Sequence, residues 1–371
     1  MKVIDGDMQN KNSVRQSNIE LLRIIAMVMI VGHHFAVHGW EGGFPYPSIS
    51  VNRLWIQFIQ MGGKIGVNVF VLISGYFLIV APKIKISKVI KFWLQLAFYS
   101  FIIFALFVGT GLKSFSVIEL VKHIFPVIMN QWWFASTYFV LYLLSPYINI
   151  LLKNLNRRQY IIFLVLLGGC WCVIPTFTAQ NFQSNSLAWF VYLYAIAGYI
   201  KLFGLKKNVT SKKWILLAIF FAFLTYVSVV TFDLLGMKVV FFGKNATFFY
   251  NMQSFPMLVI SVSLFLGFRA LNIGCNKFVN TISAATFGVY LIHEEPYVRD
   301  FLWSRVVKTT SYTTSKILIL YSLIVIALVF AVCTMIELLR IHVIEKHYMP
   351  GVMRLAQSLE NRGESWKGEL K

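Results

Sequence analysis

Ten apolar runs divide this chain, at about residues 19–38, 65–81, 90–110, 133–152, 159–175, 187–203, 213–235, 255–271, 279–295 and 316–339. Each is close to the roughly 17–25 residues that carry a helix across a bilayer. Hydrocarbon offers no partners to an open backbone, so runs of this kind become helices. The expectation is an all-α, polytopic membrane protein of about ten transmembrane helices. Composition agrees. Of 371 residues, 58% are hydrophobic and 13% charged, where soluble domains hold about 45–50% and 25%. The run 279–295 is the most polar, with Asn280, Thr281, Ser283, Thr286 and His293, and belongs inside the bundle rather than against lipid.

Lys and Arg in the short loops set the orientation. With the amino terminus inside, the inner loops 82–91, 153–158, 201–212 and 269–278 hold thirteen Lys and Arg in 38 residues, and the outer loops nine in 98. Both termini are therefore expected in the cytoplasm. The net charge of +20 is spread in clusters between apolar runs, which fits topology and argues against nucleic acid as a partner. Residues 1–18 are polar and carry Asp5 and Asp7, unlike a cleaved signal. The organisation read from this is a cytoplasmic segment 1–18, a transmembrane domain 19–339 and a basic cytoplasmic tail 340–371. In that tail Arg340, Lys346 and Arg354 are available to anionic lipid. Loop 39–64, with its GGFPYP and MGGK stretches, is the outer loop best suited to shape a site mouth. Cys170, Cys172, Cys275 and Cys333 have neither a disulfide framework nor metal-ligand spacing.

The first helix carries costly groups. Arg23 lies near one end, and His33, His34 and His38 near the other. At about 100° per residue, eleven residues return His34 to within about 20° of Arg23, some 16 Å along the axis, while His33 turns about 80° the other way. Arg23 and His34 thus share a polar stripe, and His38 is expected to meet outer water. Spacing also lets Arg23 pair with Glu20, and gives His34 and His38 an i, i+4 relation without a nearby acid or thiolate, so no metal site is assigned.

The Arg23-to-His34 spacing resembles the first-helix signature of the acyltransferase-3 family of bacterial integral membrane acyltransferases. GVNVFVLISGYFLI (66–79), WWFASTYFVLYLLSPYINIL (132–151) and TFGVYLIH (286–293) resemble, in order, its second-helix segment, its aromatic helix ending in Leu-Ser-Pro, and its late histidine-ended helix. Asn68 stands where members often have an acid, Val71 and Tyr76 where they often have Phe. The resemblance implies an O-acyltransferase in the bacterial plasma membrane. Acetyl-CoA would be the donor co-substrate, with no permanently bound cofactor, and a hydroxyl of an envelope glycan or its lipid-linked precursor the acceptor. His34 becomes the expected catalytic base or acyl carrier, with Arg23 beside it and Arg23, Lys85 and Lys88 facing coenzyme A. Trp133, Tyr138 and His293 are expected on the acceptor.

Each reading has a plainer one beside it. Ser74–Gly75 reads better as a small-residue packing surface than as a nucleophile. The aromatics at 132–142 also suit an interfacial belt. Glu294 and Glu295 either tune a base or cap a helix end. Pro146 ends or kinks its helix. Intramembrane charges would also suit a glycolipid transporter, although no inverted repeat or pair of broken helices is visible. A non-catalytic subunit of a glycan assembly complex is the third function class.

Overall fold

The computed structural model describes residues 17–40, 49–81, 83–178, 180, 182–205 and 209–369, and side chains as far as 361. Its helices in chain order are α1 (Asn18–His38), α2 (Val51–Leu78), α3 (Ile86–Gly109), α4 (Val117–Ile124), α5 (Trp133–Asn154), α6 (Arg157–Gly168), α7 (Ile174–Thr178), α8 (Ser186–Phe203), α9 (Ser211–Gly236), α10 (Val240–Lys244), α11 (Phe255–Arg269), α12 (Lys277–His293), α13 (Pro296–Phe301), α14 (Leu318–Leu339) and α15 (Lys346–Glu369). Among the described residues there is no strand, and nine helical stretches are long and apolar enough to cross a membrane. All ten apolar runs lie on helices. The exception to the length criterion is α12, 17 residues long and polar. Most of its second half is buried against α1 and α14, so protein rather than lipid surrounds its Ser283, Thr286 and His293.

Glycine decides the centre of the bundle. α1 lies along α2, which also carries α8 and α11. Where α1 and α2 meet, a Cβ at Gly66 would sit 2.6 Å from the Ala26 carbonyl oxygen, and one at Gly62 2.9 Å from Met29 Cβ. Small residues at such a crossing let backbones approach closely, which is what drives packing in a medium as apolar as the side chains themselves. Gly75 does the same against α8, where its Cβ would fall 2.8 Å from Tyr194 Cα.

Helix ends are closed by side chains from other helices. The Asn18 amide donates to the carbonyls of Phe268 and Leu271, both at 3.0 Å, closing the end of α11. The Asn149 amide donates to the Leu78 carbonyl at 2.9 Å and accepts from the Tyr194 hydroxyl at 2.6 Å. Terminal carbonyls have no intrahelical donor, so each such bond removes an orphan. Pro146 neither ends nor stops α5, which runs through it to Asn154. Proline lacks the N–H that the Tyr142 carbonyl would receive. The preceding Ser145 hydroxyl donates to that carbonyl at 2.7 Å instead.

Asn68 explains its own amide. It is fully buried, donates from Nδ2 to the Met252 carbonyl and accepts from the Trp189 indole, both at 2.9 Å. A carboxylate would serve the indole but not the carbonyl. Asn68→Asp is expected to lower stability by at least the roughly 1–3 kcal/mol of an unmet buried group. The midpoint of thermal unfolding in detergent measures this, and an unchanged midpoint would detach Asn68 from the packing of α2 on α8.

Two expectations change. α2 begins at Val51, so MGGK belongs to a helix and not to the 39–64 loop; GGFPYP lies outside the described residues. The other concerns Arg340, expected to be available to lipid. α14 continues through a wide turn, Arg340–Glu345, into α15, which packs on α3. Arg340 is 3% exposed and donates to Glu337 twice at 2.8 Å and to Glu345 at 2.7 Å. Glu337 also accepts from Gln95 at 2.9 Å and from Tyr99 at 2.5 Å, while Lys91 pairs with Glu345. Arg340 therefore ties helices together and is withheld from lipid.

Candidate functional site

The polar stripe of α1 opens into two cavities. The first, about 720 Å³, is lined at the start of α1 by Asn18, Glu20 and Arg23, and from other helices by Ser74, Tyr76, Lys88, Tyr138, Tyr142 and Arg269. The second, about 370 Å³, is lined by His33, His34 and His38 near the end of α1, with Gln60, Lys64, Trp133, Tyr290 and Glu294. Aromatic rings stand between them. Phe92 and Tyr138 line the first cavity, and Phe70, Phe134, Phe287 and Tyr290 the second. Phe92 stacks on Phe287 with centroids 5.0 Å apart, and Tyr138 on Phe134 at 6.1 Å.

Around His34 the hydrogen bonds fix the protons. The ring is buried, 8% exposed, and its Nδ1 lies 2.9 Å from His293 Nε2. His293 in turn places Nδ1 2.5 Å from the Val289 carbonyl. A carbonyl can only accept, so His293 carries its hydrogen on Nδ1 and, when neutral, offers a lone pair at Nε2. His34 must then donate from Nδ1, which leaves Nε2 as its basic nitrogen. Glu294 Oε2 lies 3.2 Å from that same Nδ1 and 3.2 Å from His38 Nε2. A carboxylate at this range stabilises the imidazolium that forms when Nε2 takes a proton. The ligand atoms of His34, His293 and Glu294 fall within 4.8 Å of one another. The 2.9 Å approach of the two rings is nevertheless a hydrogen bond, shorter than the roughly 3.3 Å between two nitrogens on a tetrahedral zinc.

The neighbouring glutamates separate cleanly. Glu295 is fully buried and caps α13, accepting from the backbone of Tyr297 at 2.8 Å and Val298 at 3.0 Å, with His123 Nε2 3.3 Å away. Of the two, Glu294 is the one that meets His34 and His38. Its other oxygen is 3.6 Å from Arg299.

The expected site residues divide between the two cavities. His34, Trp133 and, behind them, His293 gather at one end, while Arg23, Lys88 and Tyr138 gather at the other. Trp133 and Tyr138 thus face different spaces although five residues apart. Lys85 lies at the start of α3 in a side pocket of about 70 Å³ that it shares with Lys88. His33 does not turn away: it lines the cavity too, held through Nδ1 by the Gln60 carbonyl at 2.6 Å. His38 meets Glu294 rather than only water. Arg23 pairs with Glu20 at 3.1 Å, and Glu20 also accepts from Ser283 at 2.5 Å, so the guanidinium is held at the cavity wall by a carboxylate anchored on α12.

Three lining residues carry no signal in the loop-and-span reading. Lys64, counted with an outer loop, sits inside α2 with its ammonium 5.9 Å from the Trp133 ring centre. Arg269, counted with an inner loop, lines the Arg23 cavity, and its buried Nε has no partner among the described residues. Tyr290 is buried among apolar neighbours of α12. Only the helix period could have found it, since it precedes His293 by three residues and so shares its face.

No curated protein and no solved structure matches the chain. A family model described as an acyltransferase domain matches residues 16–338 of 371, from the start of α1 to the last turn of α14, and takes in both cavities. The chain belongs to the acyltransferase-3 family and is a membrane acyltransferase.

Proposed function

We propose that this protein transfers an acetyl group from cytoplasmic acetyl-CoA to a hydroxyl of an envelope polysaccharide, or of its lipid-linked precursor, in the bacterial plasma membrane. The observation that carries the reading is the oriented pair His34–His293 with Glu294, buried at the wall of one cavity and in line with a cation-lined cavity at the other end of α1. In the Arg23 cavity, Arg23, Lys88 and Arg269 supply the charge that coenzyme A phosphates require, the arginines as flat forks and the lysine as a point charge. The acyl-bearing arm runs along α1, past the stacked rings, toward His34. The acceptor occupies the His34 cavity, where Trp133 offers a sugar its face.

Chemistry follows from the proton positions. His34 Nε2 takes the proton of the acceptor hydroxyl as its oxygen attacks the thioester carbonyl, and the carbonyl electron pair moves onto oxygen. Glu294 holds the imidazolium. Collapse re-forms the carbonyl, breaks the carbon–sulfur bond and releases the thiolate, which recovers the proton from His34. Direct transfer of this kind needs no acyl-histidine.

Purified protein in lipid nanodiscs, given labelled acetyl-CoA and a lipid-linked acceptor preparation, tests the reading. Acetyl-CoA-dependent labelling of the glycan is expected, and mass spectrometry locates the ester. Transport of unmodified glycolipid without labelling would overturn it. Within the same assay, Arg269→Gln is expected to raise KM for acetyl-CoA about tenfold, with kcat within twofold, because it removes a charge that holds donor rather than a group at the reacting atoms. An unchanged KM would take Arg269 out of the donor site.

A further inference from the structure

We infer that the Tyr290 hydroxyl, assisted by the Lys64 ammonium, is the donor that stabilises the oxyanion formed when the acceptor attacks the thioester; the inference rests on the acyl-transfer reading above. Among the residues lining the His34 cavity, Glu294 Oε2 faces two imidazoles, and Tyr290 Oη faces the Phe134 backbone N–H, which leaves the Tyr290 hydrogen without an acceptor among the described residues. Tyr290 is 4% exposed. A buried hydroxyl whose hydrogen has no acceptor is costly to keep, and one that lines a reaction cavity has an obvious use, since a donor aimed at charge that develops only in the transition state works best when nothing else competes for it.

The surroundings hold this group in place. The Tyr290 ring packs on Phe134 with centroids 5.6 Å apart, on Phe287 at 6.3 Å and at right angles to His293 at 6.4 Å. It therefore shares a helix face with the histidine that orients His34. Lys64 is fixed against Trp133, the residue before Phe134, and has no ion pair among the described residues. Both groups therefore brace on the first turn of α5.

The step balances without another reagent. As the new carbon–oxygen bond forms, the acceptor proton goes to His34 Nε2 and the carbonyl oxygen gains the electron pair. The Tyr290 O–H and Lys64 N–H hydrogen-bond that oxygen, then release it when the carbon–sulfur bond breaks. Neither group changes its proton count over the cycle.

Tyr290→Phe keeps the ring contacts and removes only the hydroxyl. In nanodiscs with labelled acetyl-CoA, kcat is expected to fall about 10²-fold, the usual loss for one such donor, with KM for acetyl-CoA within twofold. The thermal midpoint should hold or rise, because a buried hydroxyl whose hydrogen has no acceptor is gone. Lys64→Met is expected to lower kcat about tenfold, again without a KM change. Parental kcat in Tyr290→Phe would overturn the inference, as would a fall in kcat that tracks a lowered midpoint. Should the parent transfer while Tyr290→Phe matches it, only this inference falls; should the parent itself transfer nothing, the acyl-transfer reading falls with it.

Discussion

Replacing His34 by alanine is expected to reduce acetyl transfer by about 10³-fold, within the 10²–10⁴-fold that a positioned base contributes, and to leave the protein folded. The loss belongs to chemistry because of where the ring sits. His34 has its Nδ1 committed to His293 and Glu294, so alanine removes a basic nitrogen, Nε2, whose ring is oriented by one partner and whose imidazolium is stabilised by the other. His33 lines the same cavity but gives its Nδ1 to a backbone carbonyl, and has no carboxylate within ion-pair distance among the described residues. His33→Ala is accordingly expected to cost far less. Labelled acetyl-CoA supplied to membranes reads both variants. Added imidazole should restore part of the activity of His34→Ala, since the vacated space is the size of that ring, and should leave the parent unaffected. Parental transfer by His34→Ala would exclude His34 as the base.

The resemblance in the first helix located His34, but the reason for its competence lies outside that helix. Arg23 and His34 share a stripe because eleven residues make three turns, and this needs only the helix period. The Nδ1 donor of His34 depends on His293 and Glu294, more than 250 residues away. No local pattern shows that of two adjacent glutamates one closes α13 and the other faces a histidine. Lys64 escaped for a different reason. A hydropathy window starts a span where the polar residues stop, whereas α2 begins at Val51 and turns Gln60 and Lys64 toward a cavity inside the protein. The same effect hid Tyr290, whose apolar neighbours on α12 read as core. Trp133 and Tyr138 looked like one aromatic surface because spacing along a chain does not reveal the ring layer that puts them in separate cavities. Conversely, the polarity of 279–295 did predict that protein would surround it, since lipid gives Ser283 and His293 nothing to bond.

Gly66→Ala is expected to unfold the site without touching a reacting group, and so to separate framework from chemistry. The new methyl would lie 2.6 Å from the Ala26 carbonyl oxygen and 2.9 Å from Ile30 Cγ1. The side chain of Ile30 can turn, but the carbonyl belongs to α1 itself and moves only if the helix moves. Overpacking of this kind costs about 1–3 kcal/mol, and the upper end applies where backbone is the obstacle. Ala26 lies between Arg23 and His34, so a shift of α1 there changes the position of His34 relative to His293 on α12. A fraction of an ångström at a 2.9 Å hydrogen bond disturbs the proton arrangement on which Nε2 depends. The expected result is a lower thermal midpoint in detergent together with at least a tenfold loss of transfer. His34→Ala, by contrast, loses transfer with its midpoint nearly retained. A Gly66→Ala protein with parental midpoint and activity would mean that α1 and α2 are not held together at this crossing.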